Sequence, residues 1–254
     1  MPVLYLGESS LFYTVMGDGI PIVFIHPPLL TSANFMYQLE ELSKQYKVIS
    51  LDIRGHGQSG YSKETITYPL IVEDITHLLD YLGIEKAFIC GYSTGGSIVL
   101  EYLLTNANRA LGGIIISGMS EVRDLYLKGR ISLAVNMAKE KAIPFLSLAI
   151  TWGNSNNRQM FKMLYKEARN GFANNIQQYY RYSLEYNCTA KLHNIYLPVL
   201  LVYGKKDKSF HKYAFILHEK LPDNILLFLD DEKHQIPTKA AHKLNKVISE
   251  FINS

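Results

Sequence analysis

Apolar residues follow two alternating patterns along this chain. Short continuous apolar runs are separated by longer stretches in which apolar residues recur every three or four positions. Continuous runs are typical of strands that are buried on both faces, and the longer spacing is typical of helices that bury one face. The pattern therefore predicts buried strands that alternate with one-sided helices.

Two short strand-like runs, at 3–6 and 11–15, come first, and the pattern then becomes regular. The predicted buried strands are 22–26, 47–52, 86–92, 112–118, 197–204 and 224–230. The predicted helices are 34–46, 68–83, a helix that starts at 95, 211–220 and a last one whose apolar positions run from 240 to 252. This alternation predicts an α/β protein with a mostly parallel, doubly wound sheet.

Residues 121–190 interrupt the alternation. They contain no strand-like apolar run and are predicted to form several helices rich in Met, Phe, Tyr and Leu. Seventy residues between two strands form a subdomain and not a loop. We expect a core of 1–120 and 191–254, and a helical cap of 121–190 over the strand ends, where parallel sheets bind ligands. Additional core is the alternative interpretation of this segment.

Composition narrows the class of protein. The chain has 254 residues, 48% hydrophobic and 19% charged, which suits a large packed domain and excludes a disordered chain. The net charge is +3 and no Lys/Arg block occurs, so we expect neither a nucleic-acid nor a membrane partner. No apolar stretch could span a bilayer and no signal peptide is evident. With Cys90 and Cys188 predicted to be free thiols, we expect a cytoplasmic protein.

The sequence "GYSTGG" (91–96) lies between a predicted strand and a predicted helix. It contains G-x-S-x-G, with Ser93 at the centre. Small residues on both sides allow a sharp turn that exposes the hydroxyl, and the first N–H groups of the helix, beginning with Thr94, would face a developing oxyanion. A glycine-rich turn with an incidental serine is the alternative.

A serine nucleophile needs a base, and the base needs an acid. Of the eight histidines, His234 follows a predicted strand and precedes a helix, as a residue at the sheet's ligand-binding edge should. Asp207 comes three residues after the end of another strand and is the expected acid. Glu121 and Asp124 are the reserve candidates.

The sequence resembles the α/β-hydrolase superfamily, in particular its small capped serine hydrolases. The stretches that carry the resemblance are "FIHPPLLTSANF" (24–35), "LDIRGHGQSG" (51–60), "GYSTGG" (91–96), "YGKKDKS" (203–209) and "KHQIP" (233–237). The order serine, aspartate, histidine is also that of the superfamily. The resemblance implies that Asp52, Arg54 and His56 brace loops below the site.

The first of these stretches departs from the family pattern. The family usually has His-Gly-x, and the residue after the glycine provides the second oxyanion N–H. Here His26 is followed by Pro27 and Pro28, and proline has no N–H. Either the N–H of Leu29 takes the role, with or without a cis proline, or the chemistry needs less oxyanion stabilisation, or the site is a slow hydrolase used for binding.

The expected function is hydrolysis of an ester, thioester, lactone or similar carbonyl through an acyl-enzyme on Ser93, with a small-molecule substrate. The catalytic residues would be Ser93, Asp207 and His234. The oxyanion hole would be formed by Thr94 and by the loop at Pro28 and Leu29. No metal or organic cofactor is expected, and the protein would be a monomer or homodimer. The alternative is a low-turnover ligand sensor or signalling protein on the same scaffold.

Overall fold

The computed structural model describes residues 2–139 and 141–254, whose strands form one sheet. The strands are β1 (Val3–Leu6), β2 (Ser9–Met16), β3 (Pro21–Ile25), β4 (Lys47–Leu51), β5 (Ala87–Tyr92), β6 (Ala110–Ile116), β7 (Val199–Gly204) and β8 (Asn224–Leu229). Their spatial order is β1-β2-β4-β3-β5-β6-β7-β8. The pairs β1–β2 and β2–β4 are antiparallel and the other neighbours are parallel, so the predicted fold class is confirmed.

Helices outside residues 121–190 pack on both faces of the sheet. The described α-helices of the whole chain are, in order, α1 (Met36–Leu42), α2 (Tyr68–Tyr81), α3 (Thr94–Thr105), α4 (Leu125–Met137), α5 (Ile143–Asn154), α6 (Arg158–Ala168), α7 (Ala173–Glu185), α8 (His211–Lys220), α9 (Ile236–Lys239) and α10 (Ala241–Ile252). Within the described residues, no helix combines the length and the apolar character needed to cross a bilayer.

Alternate residues of strands β3 to β8 enter two separate cores. In β3, Val23 and Ile25 pack with α2 and α3, whereas Ile22 and Phe24 pack with α1 and α10. Both sets are completely buried, which explains why these strands have continuous apolar runs.

Local signals explain where some helices begin and end. Helix α2 begins after Thr67, whose hydroxyl accepts a hydrogen bond from the Leu70 N–H (3.2 Å), and Gly83 follows its end with φ +66°. The predicted helix at 34–46 is shorter in the structure. A 3₁₀ turn, Ser32–Phe35, precedes α1, and the chain leaves the helix after Leu42 before it enters β4.

Among the residues that the structure describes between β6 and β7 are four α-helices, α4 to α7. Their segment, residues 121–190, is called the insertion below. It is tied to the loop after β4, because the Asn175 side chain exchanges two 3.0 Å hydrogen bonds with the backbone of Ser62, and the Phe172 N–H donates to Gly55 O (2.8 Å). The helical prediction for this segment agrees with the structure.

Candidate active site

Ser93 lies at the turn between β5 and α3. Its backbone has φ 55° and ψ −120°, a conformation that L-residues rarely adopt and that aims the side chain away from both elements. The Ser93 N–H donates to Ile116 O in β6 (2.8 Å), and Ser93 O accepts from the Gly96 N–H (2.9 Å). The serine is therefore fixed at the carboxyl end of the sheet in a strained, well-bonded turn.

Glycine is required on both sides of this serine because the backbone passes close to itself. A Cβ atom at Gly91 would overlap the carbonyl oxygen of Gly95, and a Cβ atom at Gly95 would overlap the carbonyl oxygen of Ile25. The G-x-S-x-G spacing is thus explained by packing, independently of any chemistry.

His234 meets Ser93 from the loop that follows β8. Its Nε2 lies 3.1 Å from Ser93 Oγ, and its Nδ1 lies 2.7 Å from Asp207 Oδ2. A carboxylate only accepts hydrogen bonds, so Nδ1 carries the proton and Nε2 is free to accept the serine proton. The ring packs against Phe210 (centroids 4.2 Å apart) and Tyr92 (5.4 Å), and these contacts restrict its orientation.

Asp207 is held by the loop after β7. Burial alone would raise its pKa, but the hydrogen bond and charge of His234, together with the Ser209 hydroxyl (2.8 Å from Oδ1), lower the pKa below its ordinary value. The loops after β7 and β8 are joined through backbone hydrogen bonds, such as that from the Lys206 N–H to Glu232 O (2.8 Å). The aspartate and histidine are therefore positioned as a pair.

The loop after β3 contains the two prolines. The described residues contain no cis peptide bond, so the cis-proline variant of the sequence hypothesis does not apply to this structure. Leu29, which follows the prolines, has φ +72° and is almost completely buried. Such a φ is costly for a leucine, by about 1–2 kcal/mol, so other contacts must hold the turn.

Two tyrosines of α7 provide such contacts. The Tyr179 hydroxyl donates to His26 O (3.0 Å) and the Tyr180 hydroxyl donates to Pro28 O (3.3 Å). Burial raises the pKa of both phenols, so each remains a neutral donor. The insertion thus fixes the direction of the carbonyl groups of His26 and Pro28, the residues before and after Pro27.

Buried polar residues support this loop from below. The His26 ring accepts from the Ile53 N–H through Nε2 (2.9 Å) and donates to Pro27 O through Nδ1 (2.9 Å). Burial lowers its pKa to about 4, so the ring is neutral. Asp52 accepts from the N–H groups of Ser32 (2.8 Å) and Gln58 (2.9 Å). Arg54 is bonded to Asp74 and the His56 ring to Arg54 O (3.1 Å), so Asp52, Arg54 and His56 all contact neighbouring loop or helix residues, as bracing residues would.

A family model described as "alpha/beta hydrolase fold" matches residues 20–237. The chain belongs to this family.

Similar proteins extend over the whole chain. A putative carbamate hydrolase of Azorhizobium caulinodans is 25% identical over 99% of the chain and 98% of its own length. An esterase from Exiguobacterium antarcticum superposes with TM-score 0.87 at 20% identity, over 97% of the chain and 96% of its own. An enol-lactonase from Burkholderia xenovorans superposes with TM-score 0.85 at 17% identity over the full length of both. Family membership supports a hydrolase, and the two superpositions show the fold.

The structure places the three residues proposed from the sequence, Ser93, His234 and Asp207, within hydrogen-bonding distance of one another in a row, and it puts Thr94 at the first position of α3. Asp124, a reserve candidate for the acid, instead accepts a hydrogen bond from the Tyr213 hydroxyl and caps α4.

The tyrosine contacts of the proline loop were not predicted. Tyr179 and Tyr180 lie more than 150 residues from the carbonyl groups that they bind, and no local sequence pattern marks them.

Proposed function

We propose that this α/β-hydrolase is a serine hydrolase that cleaves an ester, thioester, lactone or similar carbonyl bond through an acyl-enzyme on Ser93. The observation that carries the proposal is the hydrogen-bonded row from Asp207 through His234 to Ser93, with distances of 2.7 and 3.1 Å. Family membership and the hydrolases among the similar proteins support it.

In the first half of the reaction, Ser93 Oγ attacks the carbonyl carbon while its proton passes to His234 Nε2. Asp207 stabilises the resulting imidazolium, since its carboxylate lies 2.7 Å from the other ring nitrogen. The tetrahedral intermediate then collapses: the bond to the leaving group breaks, and the imidazolium gives its proton to the departing oxygen or sulfur. The acyl group remains on Ser93.

In the second half, His234 removes a proton from water, and the hydroxide attacks the acyl carbon. Collapse of this second intermediate breaks the bond to Ser93 Oγ, which recovers its proton from His234. The products are an acid and the alcohol or thiol released earlier, or one ring-opened acid from a lactone, and the enzyme returns to its starting state.

The oxyanion would be held by two backbone N–H groups. Thr94 provides the first, because the N–H groups of the first helical turn have no acceptor within the helix. Pro28 has none, so we assign the second to Leu29, whose N–H has no backbone acceptor within the described residues. A peptide's N–H points opposite to its carbonyl group. Because Pro28 O is bonded to Tyr180, the Leu29 N–H points away from α7.

We also propose that the insertion acts as a cap. Its support is that α7 contacts the loop after β3, and that Asn154 of α5 accepts a hydrogen bond from Tyr92 (3.0 Å), the residue before the nucleophile. A cover at this position would exclude water and shape the substrate pocket.

The test is hydrolysis of p-nitrophenyl acetate and butyrate, together with labelling by a fluorophosphonate and intact-protein mass measurement. The wild type should turn over and gain one label, and Ser93→Ala should do neither. Ser97→Ala is the matched control: it lies one turn further along α3, and its hydroxyl bonds to Met119 O (2.6 Å), away from the row. It should retain activity within a few fold.

Equal, slow hydrolysis by the wild type and Ser93→Ala, with no label on either, would reject the enzyme. That result would favour the ligand sensor, for which the missing N–H at Pro28 is the specific structural argument.

A further inference from the structure

Helix α5 exposes three large apolar side chains although it buries three polar ones. Phe145, Leu148 and Trp152 are 68%, 48% and 67% exposed. Its buried face contains Ser147, Thr151 and Asn154 beside the apolar Ile143 and Leu146. An ordinary surface helix presents polar side chains to the solvent, and a contiguous exposed apolar face commonly marks an interaction site.

This face continues onto the neighbouring helix. Trp152 contacts Phe161 of α6 (centroids 5.4 Å apart), and Phe161 stacks on Tyr165 (5.7 Å). We call the exposed face of α5 together with these two rings the apolar band.

Four cations lie beside the apolar band on the exposed face of α6. Arg158, Lys162, Lys166 and Arg169, the basic stripe, are spaced by four, four and three residues, and all are exposed. None of them forms a salt bridge within the part of the chain that the structure describes.

Charge is divided unevenly between the two parts of the molecule. The insertion has ten Lys and Arg residues against five Asp and Glu, whereas the rest of the chain has sixteen against eighteen. The net charge of +3 is therefore the sum of a charge of +5 on the insertion (10 − 5) and of −2 on the rest of the chain (16 − 18). The cations of the basic stripe are three or four residues apart along the chain, so they form no basic block, and the absence of such a block was the reason to expect no membrane partner.

We propose that the apolar band and the basic stripe dock this protein on the surface of an anionic lipid bilayer. Apolar side chains beside unpaired cations are the combination by which a peripheral helix binds such a surface, and Trp is favoured at the headgroup level. A second copy of the chain fits less well, because pairing two such faces would bring their basic stripes close together. Docking is independent of Ser93 and of the proposed reaction.

Trp152 is the only tryptophan of the chain, so its emission reports directly on the docking face. Full-length protein is titrated with vesicles of phosphatidylcholine alone or mixed with phosphatidylglycerol. We expect a blue shift and quenching by brominated lipid only with the anionic vesicles. Raising the salt from about 0.05 to about 0.5 M should weaken binding at least tenfold, since exposed charges are screened.

The variant Lys162→Glu/Lys166→Glu should bind anionic vesicles at least tenfold more weakly and still hydrolyse a soluble ester as the wild type does. Lys86→Glu/Lys246→Glu makes the same charge change on exposed core positions and should bind normally.

Three results would overturn the proposal. The first is no emission change with anionic vesicles at low salt, and the second is an equal change with phosphatidylcholine alone. The third is a doubling of molecular mass in sedimentation that Trp152→Ser abolishes, which would assign the face to a second copy.

Discussion

The hydrogen bond from Tyr180 to Pro28 O provides a sharp test of how the proline loop works. Tyr180→Phe removes one hydroxyl from a buried side chain and leaves the ring in place. If the bond holds the Leu29 N–H toward the oxyanion, its loss should lower kcat and change KM little, because the oxyanion forms only after substrate has bound.

The magnitude follows from the geometry. A neutral hydrogen bond of 3.3 Å contributes about 1 kcal/mol net, which corresponds to about fivefold in rate. The strained turn at Leu29 adds to this loss. Its φ of +72° costs about 1–2 kcal/mol, and without the hydrogen bond the loop can relax and release that strain. Complete loss of one donor would cost about 100- to 1,000-fold. We therefore expect kcat to fall between about fivefold and about a hundredfold.

The assay is steady-state hydrolysis of p-nitrophenyl butyrate, combined with inhibition by an alkyl boronic acid, which forms a tetrahedral adduct with a serine. The inhibition constant should rise by the same factor by which kcat/KM falls. Tyr182→Phe is the control, since this tyrosine lies on the same helix and packs against Tyr68 (centroids 4.9 Å apart), away from the proline loop. An unchanged kcat in Tyr180→Phe, or an effect on KM alone, would refute the reasoning.

Four further predictions concern the proline loop, the acid, the serine turn and the buried histidine. Pro28→Gly should change kcat by less than about threefold in the same assay, whereas a gain of about a hundredfold would mean that the second donor is missing in the wild type. Asp207→Asn should lower kcat by about 10³- to 10⁴-fold, because an amide can hold the histidine in the wrong tautomer. Circular dichroism should show that the fold is intact. A loss under tenfold would contradict the role of Asp207 in orienting His234. Gly91→Ala should lower the free energy of unfolding, measured in urea, by at least about 2 kcal/mol, because its Cβ would overlap Gly95 O. The control Gly129→Ala lies at an exposed helical position with free space around it and should be neutral or stabilising. Equal effects of the two substitutions would contradict the packing argument. The pKa of His26 is lowered to about 4 from an unfolded value near 6.5, so the stability gained by burying the neutral ring is complete above pH 6.5 and is lost as the pH falls toward 4. Between pH 7.5 and 5, the free energy of unfolding of the wild type should fall by roughly 2 kcal/mol more than that of His26→Gln. Equal falls in the two proteins would contradict burial of a neutral ring.

Local and periodic features could be predicted from the sequence. The continuous apolar runs predicted the buried strands of the parallel part of the sheet, because alternate residues of these strands enter different cores. The Ser93 turn was predictable since its glycines are required by close backbone contact, and His234 and Asp207 were predictable from their positions just past strand ends.

Features that depend on distant parts of the chain could not be predicted. The conformation of Leu29 depends on a hydroxyl contributed about 150 residues later, by Tyr180, and nothing in the local sequence indicates that contact. The exposed face of α5 was also hidden, because periodicity does not tell which side of a strongly apolar helix faces the solvent. Tyr180 and α5 both lie in the insertion, where the regular alternation of strands and helices gives no guidance.

The central claim is that Ser93 carries the acyl group during turnover. The most direct measurement is rapid-quench mass spectrometry of the wild type mixed with p-nitrophenyl butyrate, followed by peptide mapping. We predict a burst of about one equivalent of p-nitrophenol when deacylation is the slower step, and in any case a butyryl adduct on the peptide that contains Ser93, absent in Ser93→Ala. Turnover with no adduct at Ser93, or with the adduct on another residue, would contradict the account.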